Sequence, residues 1–174
     1  TFIRSIGLNY ISGMTLNTCF ATKATLPIAK LYSLIRVEDD LMESSSYFYK
    51  EVDEIKKIIA DTGNEFNSIL LLDELFKGTN TIERIASAKS VLSYLEKQKS
   101  QVFVSTHDIE LTTMLDDQFA LFHFTESVVK STIHFDYKLK KGILEQGNAI
   151  RILEIKKFPK EIVESAKKIV CEMK

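Results

Sequence analysis

The feature that most constrains this chain is the stretch 68–81, SILLLDELFKGTNT. Residues 69–72 are four consecutive apolar side chains with no polar alternation. Side chains of a strand point to its two faces by turns, so a run of this kind fits a strand covered on both faces, as in a parallel sheet. It ends in two adjacent carboxylates, Asp73 and Glu74, followed by Gly78-Thr79-Asn80-Thr81, the composition of a loop before a helix. In open α/β sheets, ligands sit beyond the carboxyl ends of the strands, which is where these acids fall. Taken alone, the pattern fits equally well an ordinary strand that runs into a solvated turn.

A second strand tips the balance. Val102-Phe103-Val104 leads into Ser105-Thr106-His107-Asp108, which places a histidine at another strand end. The intervening segment, 82–97, has helical periodicity, with Ile85, Ala88, Leu92 and Leu95 on one stripe. Strand, helix and strand make a βαβ unit with parallel strands and a right-handed crossover, so Asp73, Glu74 and His107 share one sheet edge. A lone histidine is more often a packed structural residue; this one has two acids as neighbours.

At 174 residues the chain has the length of one domain, enough to bury about two-thirds of its unfolded surface. A formal net charge of -1 gives no general attraction to DNA or anionic lipid, so any grip on nucleic acid is expected to lie mainly elsewhere. Cys19 and Cys171 are too few and too far apart for a disulfide framework or a zinc site, which points to a reducing, cytoplasmic compartment. No apolar run approaches the ~20 residues that span a bilayer, and no signal peptide is visible. The chain starts Thr1-Phe2-Ile3-Arg4-Ser5, without Met, and passes straight into a helical pattern with Ile3, Ile6, Tyr10 and Met14 on one face. That start suggests a piece of something longer.

The remaining elements follow from pattern. A short strand is expected near 19–21 and another at 31–37, after Pro27. Residues 38–46 are acidic and serine-rich, a solvated loop that ends as a helix N-cap. A helix over 47–60 puts Phe48, Val52, Ile55 and Ile59 on its buried stripe, with Lys50–Glu54 and Asp53–Lys57 pairs on its wet side. Ser46 then stands at a helix N-terminus, where free N–H groups and the helix dipole favour an anion. Beyond His107 come a short helix at 109–115, a strand at 119–124, and an alternating, half-buried antiparallel strand at 131–139 with Ile133, Phe135, Tyr137 and Leu139 on one face. His123 and His134 read as structural strand residues, and Lys140-Lys141-Gly142 as a turn. Two helices close the chain, 149–155 and 161–173, broken by Phe158-Pro159; the second aligns Ile162, Ala166, Ile169 and Val170, and its lysines form a solvated face.

Transfer of a phosphoryl group to water needs a metal to neutralise phosphate charge, a group that positions the water, and donors around the γ-phosphate. Asp73 suits Mg²⁺, held through water; Glu74 suits orienting or deprotonating the nucleophile; His107 suits a hydrogen bond to the γ-phosphate. The phosphate-cradling loop GxxxxGK[ST] does not occur in the 174 residues, although the first residues read like the helix that follows one.

Taken together and in order, these motifs resemble the C-terminal ATPase domain of the MutS family of DNA mismatch repair proteins, a branch of the ABC-type P-loop ATPases. Thr1-Phe2-Ile3-Arg4 is similar to the residues after the family's Walker A Gly-Lys-Ser. Asp39-Asp40-Leu41, Ser46-Tyr47-Phe48 and Glu51 resemble its signature segment, LLLDEL with GTNT at 78–81 its Walker B and D-loop, and STHD at 105–108 its switch histidine. FDYKL with Gly142, then NAIRILEI and FPKEIVESA, resemble its closing strand and helical dimerisation region. The sequence departs from the usual pattern at Tyr47, where Thr is common, at Leu75-Phe76-Lys77, in place of Ile-Gly-Arg, and at Gly147-Asn148-Ala149-Ile150, in place of Ser-Tyr-Gly-Ile. These departures suggest a divergent MutS-like group.

The resemblance implies an α/β P-loop NTPase fold of the ABC type, a mixed sheet flanked by helices without its N-terminal strands and P-loop, with a partial ATPase domain over 1–145 and a helical dimerisation region over 146–174. It implies ATP and Mg²⁺ as cofactors, and two copies, or a copy and a MutS-like partner, closing two composite sites. Each site takes the metal-holding Asp73 and the catalytic Glu74 and His107 from one copy and Ser46 from the other, with Thr1, Asn80 and Thr81 among the nucleotide-binding residues. Mismatched or other DNA is contacted through upstream domains, and these 174 residues alone are expected to hydrolyse little ATP. Two alternatives remain: an ATPase head of a chromosome-organising or break-repair protein, whose signature is richer in glycine, and a non-catalytic dimerisation module.

Overall fold

The run 69–72 lies in the middle strand of a three-stranded parallel sheet. The structure is a computed structural model that describes residues 1–35, 47–62, 67–129, 132–144 and 148–172. Strands β1 (Lys30–Leu34), β2 (Ser68–Asp73) and β3 (Ser100–Ser105) lie in that order, with Leu31 opposite Ile69, Leu71 opposite Phe103 and Asp73 opposite Ser105. Four helices accompany them: α1 (Phe2–Leu16), α2 (Tyr47–Thr62), α3 (Thr81–Glu96) and α4 (Ile109–Met114). Leu70 and Leu72 meet Ile55 and Ile58 of α2, Ile85, Ala88, Leu92 and Leu95 of α3, and Leu111 of α4. Ile69 and Leu71 point the other way, to Ile3 and Tyr10 of α1. Both faces of β2 are therefore dry, with Leu70, Leu71 and Leu72 at most 1% exposed, and full burial of each is worth about 1.5–3 kcal/mol.

All four residues expected to face inward on α3 do so. Its N-cap is Asn80, whose side-chain oxygen accepts from Glu83 N–H at 3.0 Å, while the Asn80 amide donates to the Glu83 carboxylate at 2.6 Å. On α1 the buried face is Ile3, Gly7 and Tyr10, and Met14 is exposed. Its last turn meets the following loop through Gly13 instead, where an added Cβ would collide with Leu26 and Cys19. Gly7 is similarly tight: an added Cβ would lie 2.8 Å from Leu71 Cδ1, so the missing side chain lets α1 approach β2.

No strand forms at 19–21. There Phe20 N–H donates to the Asn9 side chain of α1 at 2.6 Å, and further along the same loop the Tyr10 hydroxyl donates to Ala29 C=O at 2.7 Å. The expected strand at 31–37 begins one residue earlier and runs to Leu34; residues 36–46 lie outside the described residues. Of the expected stripe on α2, Ile55 is buried and Phe48 and Ile59 pack against the core, but Val52 is exposed, and Glu51, Ile58 and Thr62 are buried as well. Lys57 pairs with Glu54, three residues before it, on the wet side.

The chain divides into two units, Thr1–Phe119 and Ala120–Lys174; the expected boundary at 145/146 lies outside the described residues. In the second unit β4 (Phe122–His123) pairs antiparallel with β7 (Lys140–Lys141), and β5 (Glu126–Val129) pairs antiparallel with β6 (Thr132–Phe135). The antiparallel pairing of the alternating segment is as expected, but its burial is not. Phe135, Tyr137 and Leu139 are exposed, and β6 ends where Tyr137 turns to φ 53° and Asp136 accepts from Lys138 N–H. Lys140 and Lys141 are strand rather than turn, and Gly142, at φ 100°, alone supplies the left-handed step. Helices α5 (Ala149–Ile155) and α6 (Lys160–Glu172) follow, joined by Lys167 to Glu154 at 2.7 Å. That hydrogen bond holds the Glu154 carboxyl below its ordinary pKa and the Lys167 ammonium above its own. On α6 the buried residue is Val163, whereas Ile162, Ile169 and Val170 of the expected apolar side are exposed among the described residues. Cys19 and Cys171 are unpaired thiols, and among the described residues no helix is long and apolar enough to cross a membrane.

Candidate functional site

Because β2 and β3 are parallel neighbours in register, their carboxyl ends lie side by side. Ser105 donates its hydroxyl hydrogen bond to Asp73 Oδ1, and Glu74 N–H donates to Ser105 C=O at 3.0 Å. Immediately after this the chain leaves the strand direction: Glu74 adopts φ 53° and Phe76 φ 59°, a conformation that bulky L-residues seldom take. The Glu74 carboxylate is thereby brought 2.9 Å from His107 Nε2, and its other oxygen pairs with the Lys77 ammonium. Glu74 is mostly covered, with its side chain 22% exposed, whereas His107 is 87% exposed. A fixed carboxylate thus touches an imidazole that projects outward.

Glu74, Leu75, Lys77, Arg84, Thr106, His107 and Asp108 line one open pocket at this edge. Arg84, in the first turn of α3, makes a two-pronged contact with Asp108: Nε to Oδ2 at 2.9 Å and Nη2 to Oδ1 at 2.7 Å. The pair ties α3 to the turn that carries His107, and the hydrogen bond to Asp108 raises the guanidinium pKa above its already high value. Asp108 N–H in turn donates to Thr106 Oγ1 at 3.0 Å. From the far side, α2 closes on the loop after β2. Glu51 Oε1 accepts from Phe76 N–H at 2.6 Å, and the Phe48 and Phe76 rings lie 6.1 Å apart.

A family model described as MutS domain V matches residues 1–174. The chain belongs to the MutS family. It is 32% identical to MutS protein homolog 4 of Homo sapiens over 183 residues, covering 99% of this chain and 19% of that protein. It is also 32% identical to the DNA mismatch repair protein MutS of Petrotoga mobilis and 30% identical to that of Bacillus subtilis, in each case over 99% of the chain and 21% and 20% of the relative. The chain therefore spans about a fifth of the length of these curated relatives.

Within this MutS chain, Asp73, Glu74 and His107 come together at one edge. Thr1 and Asn80 are not among the residues that line the pocket with Glu74 and His107: Thr1 is the exposed N-cap of α1, and the Asn80 side chain is engaged in capping α3. Thr81 sits at the pocket's margin, its hydroxyl 3.5 Å from Arg84 Nη2. Ser46 lies outside the described residues. Sequence reasoning missed Lys77, Arg84 and Asp108 as pocket residues. The available signal for Arg84 was its position four residues after Asn80, on the first turn of the crossover helix, which starts at the same sheet edge.

The donor set bears on a metal. Among the described residues there is no group of three or more His, Cys, Asp or Glu side chains that forms a metal cage. Asp73, with Ser105 beside it, offers a carboxylate and a hydroxyl. That set fits Mg²⁺, which keeps several waters and takes substrate phosphate oxygens rather than a full protein cage.

Proposed function

We propose that this chain is the ATP-hydrolysing segment of a MutS-type protein, an ABC-type P-loop NTPase whose ATP cycle in paired copies controls DNA binding by other parts of the full-length protein. The observation that carries this reading is the Glu74–His107 contact at the carboxyl edge of a parallel sheet, one residue beyond Asp73. Membership in MutS domain V, the family's ATPase region, supports the same chemistry.

Asp73 would hold Mg²⁺, which when bound supplies positive charge against the phosphates. Glu74 accepts a proton from the attacking water and fixes its direction; its covered position and left-handed backbone hold the carboxylate in place. His107, exposed and hydrogen-bonded to Glu74, is placed to donate to a γ-phosphate oxygen and to respond when that group leaves. Thr1, Asn80 and Thr81 bind nucleotide in the assembled protein, and Ser46 does so for the partner copy. Copies associate through the ATPase face and the C-terminal helices, where exposed Ile162, Ile169 and Val170 offer apolar surface. DNA, mismatched or otherwise structured, is gripped outside this chain, consistent with its formal net charge of -1.

The test is ATP turnover by the full-length protein, with and without heteroduplex DNA, beside a Glu74→Gln variant. Loss of a general base lowers turnover by about 10²–10⁴-fold while ATP still binds; equal turnover in the variant sinks the reading. A rate altered by mismatched DNA assigns mismatch sensing, and a rate indifferent to it assigns a divergent MutS-like role.

A further inference from the structure

We infer that Glu51 is a positioning residue for Glu74: its carboxylate sets the backbone of the loop that aims the Glu74 side chain at the reacting water. The inference rests on the ATPase reading above.

The loop after β2 has two left-handed residues, Glu74 and Phe76, separated only by the buried Leu75. Neither is glycine, so the conformation has to be imposed from outside. Two hydrogen bonds that anchor backbone N–H groups of the loop to neighbouring elements impose it. Glu74 N–H is held by Ser105 C=O of β3, and Phe76 N–H by Glu51 Oε1 of α2. The first fixes where the loop leaves the sheet; the second, at 2.6 Å, fixes where it turns.

Glu51 is an unusual choice for its position. It is 5% exposed, on the helix face that buries Ile55 and Ile58, where an apolar side chain would fill the space without the penalty of burying a carboxyl group. What an apolar residue cannot do is accept a hydrogen bond from a backbone N–H. The surroundings fit α2 to the same loop: Phe48 packs on Phe76, and an added Cβ at Gly78 would lie 2.9 Å from Phe48 Cβ. Glu51 acts on the loop backbone, and the loop sets the Glu74 carboxylate against His107. A change at Glu51 therefore acts on the chemical step more than on nucleotide affinity.

The experiment uses the full-length protein with two substitutions, Glu51→Gln, which keeps an acceptor oxygen, and Glu51→Met, which keeps the size and loses the acceptor. Misplacement of a reacting group on the ångström scale lowers rate by about 10²-fold, so Glu51→Met is expected to lose about ten- to a hundredfold in kcat. Its KM for ATP is expected to stay within about twofold, and Glu51→Gln to keep kcat within about threefold. If Glu51→Met does not fold, Gly78→Ala presses on Phe48 from the loop side and is expected to show the same loss of kcat at unchanged KM. Wild-type kcat in Glu51→Met, an equal loss in Glu51→Gln, or a change confined to KM overturns the inference. If Glu74→Gln abolishes turnover while Glu51→Met matches wild type, this inference alone fails; if Glu74→Gln is also without effect, the ATPase reading fails with it.

Discussion

At the scale of single residues, the Glu74 carboxylate stands between two partners of different worth. His107 meets it at 2.9 Å at the mouth of the pocket, and Lys77 reaches it from three residues further along the loop. The lysine is nearly half exposed, and exposed ion pairs contribute about 0–1 kcal/mol because water screens them and the long side chain loses freedom. Releasing Lys77 so that Glu74 can take a proton from water therefore presents little barrier. Lys77→Met in the full-length protein is expected to change kcat by less than about fivefold, set against the far larger loss for Glu74→Gln. A hundredfold change in Lys77→Met would make the lysine part of the chemistry, and a kcat assay distinguishes the two outcomes. Arg84 is a different case: its two hydrogen bonds to Asp108 hold a turn rather than a reacting group.

At the scale of elements, the molecule is organised by how β2 is covered. Leu71 lies on the face toward α1, and its Cδ1 occupies the space that a side chain at Gly7 would take. Removing it leaves a cavity, so Leu71→Ala is expected to destabilise by about 2–5 kcal/mol. The two sites are then coupled: Gly7→Ala, crowded against Leu71 in the wild type, should be better tolerated in the Leu71→Ala background. A double-mutant cycle by urea unfolding checks this, and strict additivity would show that α1 and β2 do not meet there. The same elements show why sequence was readable in some places and not in others. The β2–α3–β3 unit was legible because its run of four apolar residues and the i, i+3, i+7, i+10 stripe of Ile85, Ala88, Leu92 and Leu95 together fit one arrangement, and with it came the meeting of Asp73, Glu74 and His107. The face of α2 was legible at Phe48, Ile55 and Ile59 but not at one position, because counting apolar residues puts Val52 on the buried stripe and passes over Glu51. Only the distant Phe76 N–H, which no local pattern announces, explains the reverse. The missing strand at 19–21 has the same origin, since Asn9 of α1 takes the Phe20 N–H that local propensity assigns to a ladder. In the second unit, alternation correctly gave β6 an antiparallel partner but not a cover for Phe135, Tyr137 and Leu139.

At the scale of the whole molecule, the central question is whether one copy completes another's site. Ser46 precedes α2, and the resemblance assigns it to the partner's nucleotide, while Glu74 serves the copy that carries it. That division can be tested without further structure. Ser46→Trp fills the place that the resemblance gives to the partner's nucleotide, and Glu74→Gln removes the proton acceptor, so a protein with either change alone is expected to be inactive. When the two proteins are mixed and allowed to exchange partners, a mixed pair holds one site with both defects and one with neither. If Ser46 worked within its own copy, each site of the mixed pair would hold one defect and no activity would return. With random exchange half of the pairs are mixed and each has one intact site, so turnover is expected to recover to about a quarter of the wild-type rate. Absence of recovery, in mixtures shown to exchange subunits, would mean that each copy carries a complete site, and pairing would then serve DNA clamping or stability rather than the chemistry itself.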